Sequence, residues 1–360
     1  LAENRTAFAQ KRAPVSREKG NYKGIIRMGF EEIIGQDLII GALKRSLSRG
    51  QTTHAYLFSG PGGSGKKSLA FLFAQALNCS SELDPPCKNC LSCRKILSGN
   101  HPDFYQLFPE GASLKIGQLR ELKESLYYFP REGRKKVCLI HSVDLMTLPA
   151  ANSLLQILEE PPADLVFILL SSRPWALLPT IVSRCLHFAL KPLPPEEMEL
   201  VLRRQSLLEP REREIVIALA EGNPGKALEL SSKGGLEKSL EEALLLLKSL
   251  ENEFLDNIFI KAEELSKKEN LQEIINLLLI IYRNRLLFEL GGSSEIKLIK
   301  HKLQYNNINV EKKVLFPGGE NINYLEKMCR HLLDFQGELL NNINKRLAVE
   351  VLLLQMRGAV

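Results

Sequence analysis

Between residues 30 and 190 the chain alternates short, strand-like apolar runs with longer stretches whose apolar positions recur every three to four residues. That is the pattern of parallel strands joined by crossover helices. Strands are expected at Ala55 to Ser59, Phe104 to Phe108, Lys136 to His141, Leu165 to Ser171 and Cys185 to Leu190. Helices are expected at Asp37 to Ser48, Lys66 to Leu77, Ile116 to Tyr127 and Ala150 to Glu159, the last stopped by Pro161-Pro162. Beyond Lys191-Pro192-Leu193-Pro194-Pro195 the strand signals end and helix formers dominate. Three short helices are expected in residues 195 to 232, closing at Asn223-Pro224-Gly225, with a second boundary near Ser231-Ser232-Lys233-Gly234-Gly235. From Leu236 onward, segments such as LEEALLLLKSL and LQEIINLLLIIYRNRLLFEL carry wide apolar faces. Such faces imply burial against partners, other subunits among them.

Composition changes this picture little. With 360 residues and 44% apolar content the chain can bury a large core in two or three domains. The longest apolar runs, Leu165 to Leu170 and Leu277 to Tyr282, are far short of the roughly 20 residues a membrane span needs. A net charge of +6 suggests nucleic acid, yet residues 1 to 27 hold seven Lys/Arg against two Asp/Glu, leaving 41 against 40 in the rest. The body is therefore nearly neutral, and the basic segment 1 to 27 is expected to be disordered or an extraneous extension. Its Arg-rich, acid-poor character also fits an organelle transit peptide. An upstream extension or misplaced start is the preferred expectation, because Met28 directly precedes a plausible domain start, GFEEIIGQ.

The first chemistry is a glycine-rich turn between an expected strand and helix: Gly60, Pro61, Gly62, Gly63, Ser64, Gly65, Lys66, Lys67, Ser68. It matches the phosphate-binding loop G-x-x-x-x-G-K-[ST] at every fixed position but one, where Lys67 replaces the hydroxyl that binds magnesium. Backbone N–H groups of such a loop, the positive helix end and Lys66 suit a phosphate chain. A turn that binds nothing is the alternative. Hydrolysis also needs an acidic pair at the end of a second strand. The candidate, Lys136 to Ile140, runs instead into His141-Ser142, and imidazole suits a hard cation poorly. Asp144 is read as a turn or cap residue. Both magnesium positions are thus lost independently, which points to lost catalysis and to weak or vestigial ATP binding.

Cys79, Cys87, Cys90 and Cys93 are spaced C-x7-C-x2-C-x2-C. Two overlapping C-x2-C steps have the short bite of a tetrahedral zinc site, and four thiolates would close it, so structural zinc is expected, with iron–sulfur ligation or free thiols as alternatives. Cys138, Cys185 and Cys329 lie in apolar contexts and are read as core residues.

A nucleotide loop followed by a cysteine knuckle, then AANSLLQILEEPP at 150 to 162 and LPTIVSRC at 178 to 185, resembles the bacterial DNA polymerase III clamp-loader family of AAA+ proteins, its delta-prime branch more than its gamma/tau branch. The resemblance covers residues 28 to 235; beyond them only the helical character matches. Gamma/tau subunits keep the Walker A hydroxyl, an Asp-Glu pair and an arginine in a G-x-x-R-D-A-L segment. Here stand Lys67, His141-Ser142 and, in Gly222-Asn223-Pro224-Gly225-Lys226-Ala227-Leu228, a glycine at the arginine's place. The family's first cysteine gap is usually one residue longer, which bears on Cys79 as the first ligand.

The resemblance implies an α/β AAA+ P-loop sheet flanked by helices over residues 28 to 192, with an inserted zinc knuckle (79 to 93), a helical lid (193 to 234) and an all-α collar for oligomerisation (235 to 360). It implies a non-hydrolysing subunit of a cytoplasmic bacterial complex with gamma/tau and delta subunits, acting on the sliding clamp and primer-template DNA. In Ser183-Arg184-Cys185 it implies that Arg184 serves in trans as an arginine finger; without the motif Arg184 reads as an ion-paired surface residue. Glu159-Glu160 is read as a helix terminus. Two rival readings stand beside this one: an active gamma-like motor with magnesium held by Ser68 and Asp144, and a DNA-binding module built on the cysteine knuckle or the basic tail.

Overall fold

The computed structural model describes residues 29–206, 208–233, 236–252, 255–291, 321–339 and 344–357. The basic segment 1 to 27 lies outside the described residues, as does Gly234-Gly235. The chain divides into two compact units, one reaching to Glu197 and including Asn223–Gly225, the other formed by Met198–Gly222 and the residues from Lys226 on.

The first unit is built on β1 (Ala55–Ser59), β2 (Phe104–Leu107), β3 (Lys136–Ile140), β4 (Leu165–Ser171) and β5 (Leu186–Ala189). They form one parallel sheet in the order β2-β3-β4-β1-β5. Every residue of β1, β3 and β4 is buried, as expected for strands covered on both faces. Alternation along β1 divides the core: Tyr56 and Phe58 pack with Phe71, Phe73 and Leu43 on one face, Ala55 and Leu57 with Leu119, Leu154 and Phe167 on the other. At about 1.5–3 kcal/mol for each large apolar side chain buried, these layers hold the unit together. The edge strand β5 is mostly exposed and is one residue shorter at each end than its apolar run suggests.

The helices on the two faces are α1 (Asp37–Ser48), α2 (Lys66–Leu77), α3 (Leu91–Leu97), α4 (Ile116–Leu126), α5 (Leu148–Glu159) and the single turn α6 (Pro179–Val182). Helix α5 starts two residues before the expected Ala150, because Pro149 sits in its first turn, where a missing N–H costs nothing. Helix α3 is not foreseen by periodicity; it is only seven residues long and its cap is Cys90.

Prolines also open α7 (Pro195–Gln205), α8 (Pro210–Ala220) and α9 (Pro224–Lys233), the three short helices expected after the proline cluster. In the second unit they are followed by α10 (Leu236–Asn252), α11 (Leu255–Ser266), α12 (Leu271–Glu289), α13 (Ile322–Leu339) and α14 (Lys345–Arg357). Helix α12 packs against α8, α10 and α13, and α11 packs against α14. Leu247, Ile274, Leu278, Tyr282, Leu325 and Leu332 are buried. A parallel P-loop sheet flanked by helices is thus followed by an all-helical unit. Among the described residues no helix is long and apolar enough to cross a membrane.

Candidate functional site

The glycine-rich loop leaves the carboxyl end of β1, a strand flanked by β4 and β5, and leads into α2. In an open parallel sheet this is where ligands meet helix N-termini. Gly65 caps α2 at φ 92°, a left-handed conformation that favours glycine, and no side chain caps the helix. The first-turn N–H groups and their positive dipole therefore face the loop. Ser64 Oγ is buried there and has no hydrogen-bond partner. The Lys66 ammonium is buried and donates to the carbonyls of Gly60 and Pro61, the latter at 2.8 Å. Burial lowers its pKa, and the Asp144 carboxylate opposes that shift. Loop, helix end, lysine and orphan hydroxyl together suit a phosphate group.

They do not suit magnesium. His141 follows β3, its N–H donating to Leu107 O at 2.9 Å. Its ring stacks on Phe108 with centroids 4.0 Å apart, and Nε2 lies 3.3 Å from Gln106 Oε1. Burial, aided by the Lys67 charge, pushes its pKa down to about 3, so the imidazole is neutral. A cation and a neutral, buried imidazole stand where a hard dication needs oxygen anions.

Asp144 is engaged elsewhere. It lies in a short turn, Val143–Leu145, and its carboxylate accepts from Ser171 Oγ (3.0 Å), Ser172 N–H (3.1 Å) and Arg173 Nε (3.3 Å). Burial raises its pKa, but these bonds outweigh burial and hold it below the usual carboxylate range. The pairing across 27 residues left no local signal in the sequence. The magnesium-holding role that the rival motor reading gives Asp144 would have to share the carboxylate with these three donors.

The Sγ atoms of Cys79, Cys87, Cys90 and Cys93 all lie within 4.8 Å of one another, so the shorter first gap still delivers Cys79. The loop turns through a cis Pro85-Pro86 bond and a left-handed Lys88, whose ammonium donates to Glu31 at 2.8 Å. Backbone N–H groups of Cys87, Cys90 and Cys93 donate to the sulfurs of Cys79, Cys87 and Cys90 at 3.3–3.4 Å. Burial pushes the Cys79 and Cys93 thiols up. At Cys90 burial acts the same way, but N–H donation from Ser80 and Cys93 wins and brings the thiol to about 6. Sulfurs already accepting hydrogen bonds in a four-cysteine cluster fit a zinc ion, which would be held by all four.

Arg184 sits between α6 and β5, donating to Thr180 O (3.0 Å) and Glu159 Oε1 (2.8 Å). Glu159 is the last residue of α5, so the helix terminus read from the sequence also carries the arginine's partner. The pairing of Tyr56 with Leu186 puts the start of β5 beside the start of β1. Arg184 therefore lies at the amino end of the sheet and the phosphate loop at its carboxyl end. The five residues of β1, at about 3.3 Å each, separate them.

Residues 35–194 match the family described as "DNA polymerase III, delta subunit". DNA polymerase III subunit delta' of Bacillus subtilis is 32% identical over 291 residues, 78% of this chain and 88% of that protein. DNA polymerase III subunit tau of Escherichia coli is 38% identical over 210 residues, 57% of this chain and 32% of that longer protein. A DNA polymerase III gamma subunit-related protein of Thermotoga maritima, whose crystal structure is known, is 20% identical with a TM-score of 0.43, covering 88% of this chain and 98% of that one. With the loop, cysteine cluster and SRC element standing in that order on a parallel sheet, the chain belongs to the gamma/tau/delta-prime family of DNA polymerase III clamp-loader subunits.

Proposed function

We propose that this chain is a delta-prime-like subunit that does not hydrolyse ATP and lends Arg184 to a neighbouring gamma/tau subunit. The observation that carries the reading is the magnesium position, where Lys67 carries a positive charge and His141 is neutral. Without an oxygen-rich metal site the loop and Lys66 can hold phosphate but lack the dication that bridges and neutralises a transferring phosphoryl group. Arg184 supports the second half. It stands about a strand length from its own loop, which argues against action on its own nucleotide and is consistent with a role toward a neighbour's.

In this reading residues 28–192 form the AAA+ domain, 193–234 its lid and 235–360 a collar that joins gamma/tau and delta partners in the bacterial cytoplasm. The four cysteines hold a structural zinc. Sliding clamp and primer-template DNA are met through the assembled complex. The test is steady-state ATP hydrolysis by the isolated chain beside a Lys66→Ala control. No turnover above the control is expected; turnover that Lys66→Ala abolishes would overturn the proposal.

A further inference from the structure

Four successive carbonyls of the phosphate loop accept hydrogen bonds from the protein itself. Lys66 Nζ serves Gly60 and Pro61, the Asn223 side-chain amide serves Gly62, and Gly225 N–H serves Gly63 at 2.9 Å. Asn223-Pro224-Gly225 belongs to the same compact unit as the loop. Gly225 has no positive φ, so its backbone does not demand glycine. What demands it is proximity: a Cβ there would lie 2.6 Å from Gly63 Cα and 2.8 Å from Gly63 O. A Cβ on Gly63, whose φ is +82°, would in turn meet Asn223 Oδ1 at 2.4 Å. Two glycines face each other, and neither tolerates a side chain.

We propose that Asn223-Pro224-Gly225 is an internal latch on the phosphate loop, holding it in a conformation in which Lys66 braces the loop and nucleotide enters only when the segment withdraws. To reach a phosphate oxygen the Lys66 ammonium must leave two carbonyls. The latch sets how often the loop is free to let that happen. Nucleotide affinity is then the intrinsic affinity divided by the rarity of the unlatched loop. Each latch hydrogen bond removed raises the unlatched population about fivefold. This deepens the non-hydrolysing reading and rests on it in one respect: an unlatched loop still lacks a magnesium site, so tighter binding brings no turnover.

The experiment uses the full chain with Asn223→Ala, Gly225→Ala and the double variant. A fluorescent ATP analogue measures affinity, and hydrogen exchange measures protection of the amide at position 225, which the latch bonds to Gly63 O, and of the amides in residues 60–66. Asn223→Ala should raise affinity about fivefold and speed exchange in the loop. Gly225→Ala, which forces the segment off Gly63, should do at least as much. If Gly225→Ala fails to fold, Asn223→Ala still decides, because it only removes an amide. Unchanged affinity and unchanged exchange in the folded variants would overturn the latch. Tighter binding with ATP hydrolysis would uphold the latch and sink the non-hydrolysing reading; tighter binding without hydrolysis upholds both.

Discussion

Replacing Asp144 by alanine removes an acceptor that ties the turn after β3 to the end of β4. The carboxylate side chain is only 5% exposed, so water cannot replace its partners without local opening. The bonds from Ser171 Oγ and Ser172 N–H go to a charged acceptor and are worth about 1.5 kcal/mol each. Arg173 is 53% exposed, so its ion pair is screened and adds less than about 1 kcal/mol. The sum is about 3–4 kcal/mol, a fall of about 10 °C in melting temperature for a unit of this size. The pH dependence has a definite sign. The folded pKa of Asp144 is depressed, so its contribution is complete above the unfolded value near 4 and fades as pH falls through the lower folded value. Thermal melts of wild type and Asp144→Ala should show the full gap at pH 7 and a narrowing gap below about pH 4. Equal melting temperatures at pH 7, or a gap that widens in acid, would show that the ionised Asp144 carboxylate does not stabilise this unit.

Elemental analysis of reduced, freshly purified protein should find about one zinc per chain, and Cys90→Ser should lose it; a metal-free wild type would contradict the cluster's assignment. Lys67→Thr alone should leave ATP turnover at background, because His141 still occupies the second magnesium position. Glu159→Ala should lower the free energy of unfolding measured in urea by less than about 1 kcal/mol, since the Arg184–Glu159 pair is exposed on both sides; a larger loss would mean that Arg184 is structural.

Strands with continuous apolar runs were legible because burial on both faces leaves little choice of residue, and β1 and β4 lie where their patterns place them. The edge strand β5 and the short α3 were less so: one is mostly exposed to water, the other is organised by cysteines rather than by an apolar face. At the site, the loop and the cysteine cluster are local in sequence, so spacing alone announced them. Asp144 with Ser171, Glu159 with Arg184 and Gly225 with Gly63 were not announced, since each pairing spans 25 or more residues and depends on how strands and loops are ordered. Glycine at position 225 reads in the sequence as a missing arginine. In the fold it is the residue that lets two backbones touch.

The most direct test of the account is DNA-stimulated ATP hydrolysis and clamp loading by the complex reconstituted with gamma/tau and delta partners and with this chain as wild type, Arg184→Ala or Arg184→Lys. Assembly and zinc content are checked first. A guanidinium supplied in trans is worth about 10³–10⁵ in rate in GTPases, but only one of several motor sites would lose it here. Bulk hydrolysis should therefore fall modestly and clamp loading by at least about tenfold. Lysine, which keeps the charge without the planar fork, should rescue poorly. Normal loading by assembled complexes carrying either variant would contradict the claim that this chain works by lending Arg184 to its neighbour.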